Sequence, residues 1–247
     1  MTDSDHQTPK IEKQIVITKN GPYQVRGPLP LVYKTQIVSE LGEPLAWKKD
    51  GSAEIESDEY YLCRCGNSGN KPFCDGTHRK IIFDGAESAK TEKPSDFGMT
   101  YPCGDHLYVK NDLSLCINSG FCGLRDESLF QLIAASDDSK TRSLVIAMIE
   151  RCPSGALTYK IEAGGVDIEP DLPPQIAVTT EITSGGPCPG ALWVTGYIEI
   201  LRSDGQPFEP RNRVTLCNCG RSKNKPLCDG THRCKPEDGA DSKADPS

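Results

Sequence analysis

The sequence predicts an α+β protein in which two small β-rich modules flank a compact α+β domain. A cysteine-rich segment occurs twice, and period-two alternation of apolar residues precedes each occurrence, as in short strands. Between the two occurrences, apolar residues recur at helical spacing. Only 36% of the residues are apolar, which suits small modules with loops better than one large doubly wound enzyme.

The repeat is the strongest of these signals. Residues 63–78 read CRCGNSGNKPFCDGTH and residues 217–232 read CNCGRSKNKPLCDGTH, so that twelve of sixteen positions are identical without a gap. The two segments lie too far apart in the chain for the period of a solenoid. We therefore expect a duplicated module with a different domain inserted between the copies.

The similarity continues more weakly upstream of the cysteines. Residues 21–27 align with residues 190–196, and the alternating pair Leu29 and Leu31 aligns with Ile198 and Ile200. Each copy should thus be a few strands followed by a cysteine-rich loop. The first copy has additional residues, roughly 38–56, which we expect to form a surface loop.

The middle of the chain has a different pattern. Residues 126–136 and 139–151 have helical spacing that places Leu144, Val145, Met148 and Ile149 on one face, and Pro153 ends the second run. Short strands are expected at 107–109 and 157–161, and Pro-rich joints at 93–95 and 170–174. The predicted organisation is a disordered N-terminus (1–10), a first module (11–92), a middle domain (96–165), a second module (174–236) and an acidic disordered tail (237–247).

Twelve cysteines are many for a chain whose start has no apolar leader. The longest apolar stretch, residues 144–149, is too short to cross a bilayer, so we expect a cytoplasmic protein without a membrane partner. A reducing compartment does not maintain six disulfides, which favours metal or cluster ligation. The net charge of −7 argues against a nucleic-acid partner.

The repeated segments place three cysteines and one histidine at the same spacing in each copy. The two sets are Cys63, Cys65, Cys74 and His78, and Cys217, Cys219, Cys228 and His232. Thiolate and imidazole ligands suit zinc or an iron–sulfur centre, and not magnesium or calcium. Since three cysteines with a histidine are also a common structural zinc set, the spacing alone leaves both metals open.

Both segments resemble the CDGSH motif of the mitoNEET family of iron–sulfur proteins, C-x-C-x2-S/T-x3-P-x-C-D-G-S/A/T-H. The remaining motif residues are also present in each copy: Ser68, Pro72 and Asp75-Gly76-Thr77, and Ser222, Pro226 and Asp229-Gly230-Thr231. The resemblance implies one [2Fe–2S] cluster in each copy, held by its three cysteines and its histidine. In the first copy, Cys63 and Cys65 would bind one iron, and Cys74 and His78 the other.

Several further expectations concern these two modules. The Asp-Gly pairs are turn formers that can bring cysteine and histidine to one iron, while Gly66 and Gly220 would leave room for the backbone to approach sulfur. Members of the mitoNEET family with one motif per chain form homodimers. We therefore expect the two copies in this chain to pair internally, which would give a monomer with a pseudo-twofold axis.

The middle domain contains a second type of motif. Cys116 and Cys122 are followed by Cys152-Pro153, a ferredoxin-like combination, and the segment resembles the divergent single-cluster ferredoxin domain found beside CDGSH motifs. Ser119 stands where ordinary ferredoxins have a middle cysteine. Three thiolates suit a [3Fe–4S] cluster, whereas a [4Fe–4S] cluster would need a fourth ligand, for which Cys103, His106, Ser119 and solvent are candidates. The alternative is that the three cysteines are buried free thiols.

These features predict a redox protein rather than an enzyme, since no phosphate loop, dinucleotide fingerprint or nucleophile elbow accompanies them. One hypothesis is electron transfer with redox proteins, and a second is storage, transfer or sensing of clusters with cluster-acceptor proteins. We favour these two together. The alternative is a zinc-stapled interaction protein without redox function.

Overall fold

The computed structural model describes residues 13–90, 99–103 and 107–233 of the 247-residue chain. The strands of the first copy are β1 (Gln14–Ile17), β2 (Tyr23–Arg26), β3 (Leu31–Val38), β4 (Pro44–Ser52) and β5 (Glu59–Leu62). The middle domain has β6 (Met99–Cys103), β7 (Leu107–Asn111) and β8 (Leu157–Lys160). The second copy has β9 (Gln175–Thr183), β10 (Gly186–Thr195), β11 (Glu199–Leu201) and β12 (Arg213–Leu216).

The two copies exchange strands. One sheet has the order β11-β1-β2-β5 and contains β11 of the second copy, and the other has the order β12-β10-β9-β3-β4 and contains β3 and β4 of the first copy. Ile200 of β11 lies beside Ile15 in a parallel pair, and Leu31 of β3 lies beside Ile176 in another. Because Leu31 and Ile200 are aligned positions of the repeat, the exchange is reciprocal. Main-chain hydrogen bonds therefore join the two copies within one chain.

A single apolar core extends across both copies. The alternating residues of each strand point into it, as expected for sheets with one buried face. Each fully buried aliphatic or aromatic side chain contributes about 1.5–3 kcal/mol through its removal from water. The buried members include Ile15, Ile17, Tyr23, Val25, Leu31, Leu62, Ile176, Leu192, Val194, Ile200, Val214 and Leu216.

The prediction of a surface loop at residues 38–56 was wrong. Most of this segment is β4, which pairs antiparallel with β3 from Val32 opposite Ser52 to Val38 opposite Pro44. Its charged residues lie on an exposed edge strand, where charge protects against pairing with another chain. The composition suggested a loop because an exposed edge strand lacks the apolar alternation of a half-buried one.

The middle domain packs two helices against a three-stranded antiparallel sheet with the order β6-β7-β8. The helices are α2 (Leu129–Ile133) and α3 (Ser139–Glu150), each shorter than the predicted run. The carboxylate of Asp138 accepts from the N–H of Thr141 at 2.8 Å and so caps α3. Val145, Met148 and Ile149 of α3 are buried, whereas Leu144, which we expected on the same face, is 37% exposed.

No helix in the described ranges has the length and apolar content needed to cross a bilayer.

Candidate metal centres

The first site is formed by the loop that follows β5 and by the four-residue helix α1 (Thr77–Lys80). The sulfurs of Cys63 and Cys65 are 3.9 Å apart. The sulfur of Cys74 is 3.4 Å from Nδ1 of His78. The four predicted ligands are therefore arranged as two pairs, Cys63 with Cys65 and Cys74 with His78.

The second site repeats this arrangement after β12. The sulfurs of Cys217 and Cys219 are 3.7 Å apart, and the sulfur of Cys228 is 3.2 Å from Nδ1 of His232. Two sulfurs on one tetrahedral metal with bonds of about 2.3 Å would be separated by about 3.8 Å. The spacing within each cysteine pair therefore fits two thiolates on one metal atom in both copies.

The pairing of ligands matters for the kind of centre that fits. Within the residues that the structure describes, no group of three or more His, Cys, Asp or Glu side chains surrounds a single ion position. A [2Fe–2S] cluster takes two protein ligands on each of its irons, and each copy offers two such pairs. The donor set and its division into pairs thus fit the cluster that the sequence predicts.

The same backbone bonds hold the loop in both copies. In the first copy, the N–H of Cys63 donates to Pro72 and the N–H of Cys74 donates to Tyr61; in the second, the N–H of Cys217 donates to Pro226 and the N–H of Cys228 donates to Thr215. Each loop also has a serine whose hydroxyl donates across it, from Ser68 to the carbonyl of Phe73 and from Ser222 to that of Leu227. These bonds fix the two halves of each ligand set side by side.

The Asp-Gly pairs form the predicted turns. Gly76 and Gly230 adopt φ of 84° and 85°, a region that favours glycine. Their N–H groups donate to the sulfurs of Cys74 and Cys228, both at 3.4 Å. Hydrogen bonds of this kind to a ligand sulfur tune an iron–sulfur centre.

Burial gives the second site a different electrostatic environment from the first. Burial raises the pKa of the Cys228 thiol to about 12. The hydrogen bond between Cys217 and Cys219 lowers the pKa of Cys219 and raises that of Cys217, which burial raises further. In the first site, burial and the charge of Arg79 lower the pKa of the His78 imidazole. Because a metal binds thiolates and neutral imidazole, loading either site releases the thiol protons.

The three cysteines of the middle domain lie near one another. Cys152 is buried in the core of that domain, and Cys116 and Cys122 pack against the same core. Burial, and then the proximity of Cys152 and Cys116, raise the pKa of Cys122. The N–H of Asn118 donates to the sulfur of Cys116 at 3.5 Å. The three thiols share one core and interact electrostatically, which suits a common centre better than scattered structural cysteines.

The fourth ligand of this centre stays a prediction. Cys103 is the last residue of β6, but its side chain and His106 lie outside the described residues. Ser119 is buried in the loop between Cys116 and Cys122, and its carbonyl accepts from the Gln36 amide at 2.9 Å.

The loops of the two repeated sites contact each other through glycine. A Cβ on Gly66 would overlap the backbone of Cys219, and a Cβ on Gly220 would overlap that of Cys65. Both glycines have positive φ, 79° and 75°. We expected these glycines to make room near their own sulfurs; the close approach that the structure shows is to the backbone of the opposite copy.

Among the described residues, the middle-domain loop makes its close contacts with the second of these two sites. Ile117 packs with buried Cys228, and a Cβ on Gly230 would lie 2.8 Å from the carbonyl oxygen of Ile117. A Cβ on the equivalent Gly76 would meet no atom within 4 Å. In addition, the amide of Asn224 donates to the carbonyl of Ser114 at 2.8 Å. The cysteine loops therefore lie in the order middle, second, first.

Several residues that keep the three loops in this order lie outside the cysteine motifs. Arg213 of β12 is buried, and its guanidinium pairs with the Glu169 carboxylate at 2.6 Å. The same guanidinium donates hydrogen bonds to four backbone carbonyls of the middle domain, those of Ile149, Glu150, Cys152 and Leu157. From β4, the ring of Trp47 packs on Phe121 with a centroid distance of 5.5 Å. A tryptophan within the mostly charged segment 38–56 was the available sequence signal for this contact.

The two histidines differ at Nε2. His232 is buried, and its Nε2 lies 3.1 Å from a carboxylate oxygen of Glu181, which is itself fully buried. His78 is half-exposed and lines an open groove of about 730 Å³, and among the described residues its Nε2 has no hydrogen-bond partner. Glu181 was not predicted from the sequence. The signal for it is the longer hairpin of the second copy, which lies upstream of the aligned part of the repeat.

Comparison with known families matches three regions of the chain. A family model described as an iron-binding zinc finger of CDGSH type matches residues 20–79 and 189–233. A second model, described as a divergent 4Fe-4S mono-cluster, matches residues 103–162. A search of curated proteins returned no match to the chain.

Proposed function

Because the chain is an iron–sulfur protein with two CDGSH-type regions around a divergent single-cluster 4Fe–4S domain, we propose that it is a carrier of electrons and of clusters. In this proposal it binds two [2Fe–2S] clusters and one [3Fe–4S] or [4Fe–4S] cluster. The ligands are those named above, with Cys116, Cys122 and Cys152 for the middle centre. The chain acts with redox or cluster-acceptor proteins and is not itself an enzyme.

The observation that carries the proposal is the contact of the three cysteine loops in a row. Ile117 of the middle loop packs on Cys228 of the second site. The second loop in turn meets the first where Gly220 and Gly66 pack on Cys65 and Cys219. Protein redox centres exchange electrons only when they lie close together. In this chain, the two glycine contacts and the packing of Ile117 on Cys228 keep the three loops close to one another.

The chemistry supplied by the bound clusters is single-electron uptake and release, with a higher potential where histidine replaces one thiolate. The surrounding residues keep the three loops in fixed positions. Arg213 ties the segment of Cys152 to β12, which leads directly to Cys217. Gln36 links the carbonyl of Ser119 in the middle loop to the N–H of Ile182 in β9. Both side chains are buried, which keeps water from competing for these bonds.

The strand exchange supports a monomeric carrier. Each copy completes the other's sheet through β3 and β11, as a partner chain would in a dimer of single-motif proteins. The net charge of −7 disfavours nucleic acid, and we propose no membrane partner. Sedimentation of the iron-loaded chain should give a monomer, and an obligate dimer would count against the internal pairing.

The decisive experiment counts metals and sulfide on anaerobically purified protein and records electron paramagnetic resonance spectra before and after dithionite reduction. We expect about seven or eight iron atoms per chain and signals from two kinds of centre. A colourless, iron-free protein with stoichiometric zinc would contradict the proposal and favour the zinc-stapled alternative.

A second measurement separates the two roles of the carrier. Incubation of the loaded chain with an apo-ferredoxin should transfer a [2Fe–2S] cluster, which the absorption spectrum of the repurified acceptor would report. Failure of transfer under acidic and oxidising conditions, with clusters intact, would leave electron transfer as the role.

A further inference from the structure

The two repeated sites differ most clearly at the side of the histidine that faces away from its cysteine. Nδ1 of each histidine lies near its cysteine sulfur, at 3.4 Å in the first copy and 3.2 Å in the second, and is therefore the ligand nitrogen. Nε2 of His232 meets the carboxylate of Glu181 at 3.1 Å, whereas His78 borders an open groove.

Hairpin length causes this difference. In the first copy, five residues (18–22) separate the paired positions Ile17 and Tyr23. In the second copy, thirteen residues (179–191) separate the equivalent pair Val178 and Leu192. The short hairpin lines the groove beside His78, and the long one extends over the second site and brings Glu181 to His232.

Glu181 is held firmly in this position. It is fully buried, and its second oxygen accepts from Arg233 at 2.8 Å. The next residue, Ile182, donates its N–H to Gln36, whose amide also bonds the middle loop. Charge pairing with Arg233 offsets the cost of burying the carboxylate, so its geometry is defined from both sides.

A carboxylate behind a ligating histidine has a known physical effect. With Nδ1 as the ligand atom, Nε2 keeps its proton and donates a hydrogen bond to the carboxylate, which fixes the plane of the ring and increases the basicity of the ligand nitrogen. Loss of such a partner typically weakens metal binding about 10–100-fold. The first site has the same ligands but none of this support among the described residues.

We propose that the two sites divide the work of the carrier: the first site exchanges its cluster with partners, and the second retains its cluster because Glu181 positions His232. This difference between the sites rests on the proposed function. Transfer from the first site moves two irons and two sulfides, without change of oxidation state, to an acceptor protein with free thiols. The acceptor thiols release protons, of which Cys63, Cys65 and Cys74 take up three and the solvent takes any remainder, while His78 regains its free lone pair.

The test follows the release of iron from the anaerobically loaded chain to an iron chelator at one fixed neutral pH. We expect a fast and a slow phase of equal amplitude from the two repeated sites. His78→Cys should abolish the fast phase, because a thiolate binds iron more firmly, and His232→Cys should leave it in place. Glu181→Ala should accelerate the slow phase about 10–100-fold without changing the fast one.

Two further variants separate positioning from general stability. Glu181→Gln keeps the size and one acceptor oxygen but removes the charge, so it should raise the reduction potential of the second cluster even if its release is only slightly faster. Glu199→Gln alters an exposed glutamate of β11 that bonds Gln14, and should change neither release nor potential.

The outcomes distinguish this inference from the function on which it rests. Release in one common phase from both sites would overturn the division of work, as would an unchanged slow phase and potential in both Glu181 variants, while the clusters themselves would still support the proposed function. A chain that binds no iron would overturn the proposed function and this inference with it.

Discussion

The two cysteine–histidine loops have nearly the same sequence and the same local geometry, yet they lie in different surroundings. The distances within the ligand pairs agree to about 0.2 Å, and the serine and glycine contacts recur in both. The second loop is covered by the long β9–β10 hairpin and by the middle domain. The first loop faces an open groove.

This difference shows that a ligand set does not by itself define a metal site. His78 and His232 occupy equivalent positions in the motif, but burial and a carboxylate distinguish the second from the first. Duplication within one chain allows such divergence, because each copy is free to change. In a homodimer both sites carry the same residues.

The largest effect should come from removing a ligand at each site in turn. Cys74→Ser and Cys228→Ser should each lose one cluster, about two iron atoms. Cys228→Ser should also slow electron exchange between the middle and first centres, since the second site lies between them in the contact order. Time-resolved reduction of each variant tests this. Equal slowing in Cys74→Ser would contradict the order.

A comparison of two buried arginines should give the next largest effect. Arg213→Met leaves the Glu169 carboxylate without its partner, so we expect the free energy of unfolding to fall by about 3–5 kcal/mol. Arg64→Met, in the first site, removes hydrogen bonds to the carbonyls of Thr18 and Gly85 without breaking an ion pair, and should cost about 1–3 kcal/mol. Urea unfolding measures both values. A larger loss for Arg64→Met would contradict the role given to Arg213 in joining β12 to the middle domain.

The equivalent glycines of the two turns provide a matched pair. Gly76→Ala and Gly230→Ala both force alanine into positive φ, at a cost of about 1–2 kcal/mol. Only Gly230→Ala also presses on the carbonyl of Ile117, which should add about 1–3 kcal/mol. If urea unfolding gave equal decreases in the free energy of unfolding for both variants, the middle loop would have to move away from the added methyl group without cost.

The smallest effects should be equal in the two copies. Ser68→Ala and Ser222→Ala each remove one hydroxyl that donates within its own loop, at 2.6 and 2.7 Å. Each should lower the free energy of unfolding by about 1 kcal/mol. Unequal decreases in the free energy of unfolding would show that the different surroundings of the two loops also change the strength of hydrogen bonds inside them.

Much of the local structure could be predicted because its causes lie close together in the chain. The ligand spacing, the Asp-Gly turns and the helix that ends before Pro153 all depend on a few neighbouring residues. The segment at 38–56 was misjudged as a loop because its pairing partner, β3, and its contact, Phe121, are decided elsewhere in the fold.

The candidate metal ligands, and their occurrence as two matching sets around a third, can be read from the amino-acid order alone. The differences between the sets arise in the folded molecule. The exchange of β3 and β11, the contact of Gly230 with Ile117 and the approach of Glu181 to His232 join residues far apart in the chain. Such contacts form only when strand register and domain packing bring distant backbone together, and no local pattern encodes that choice.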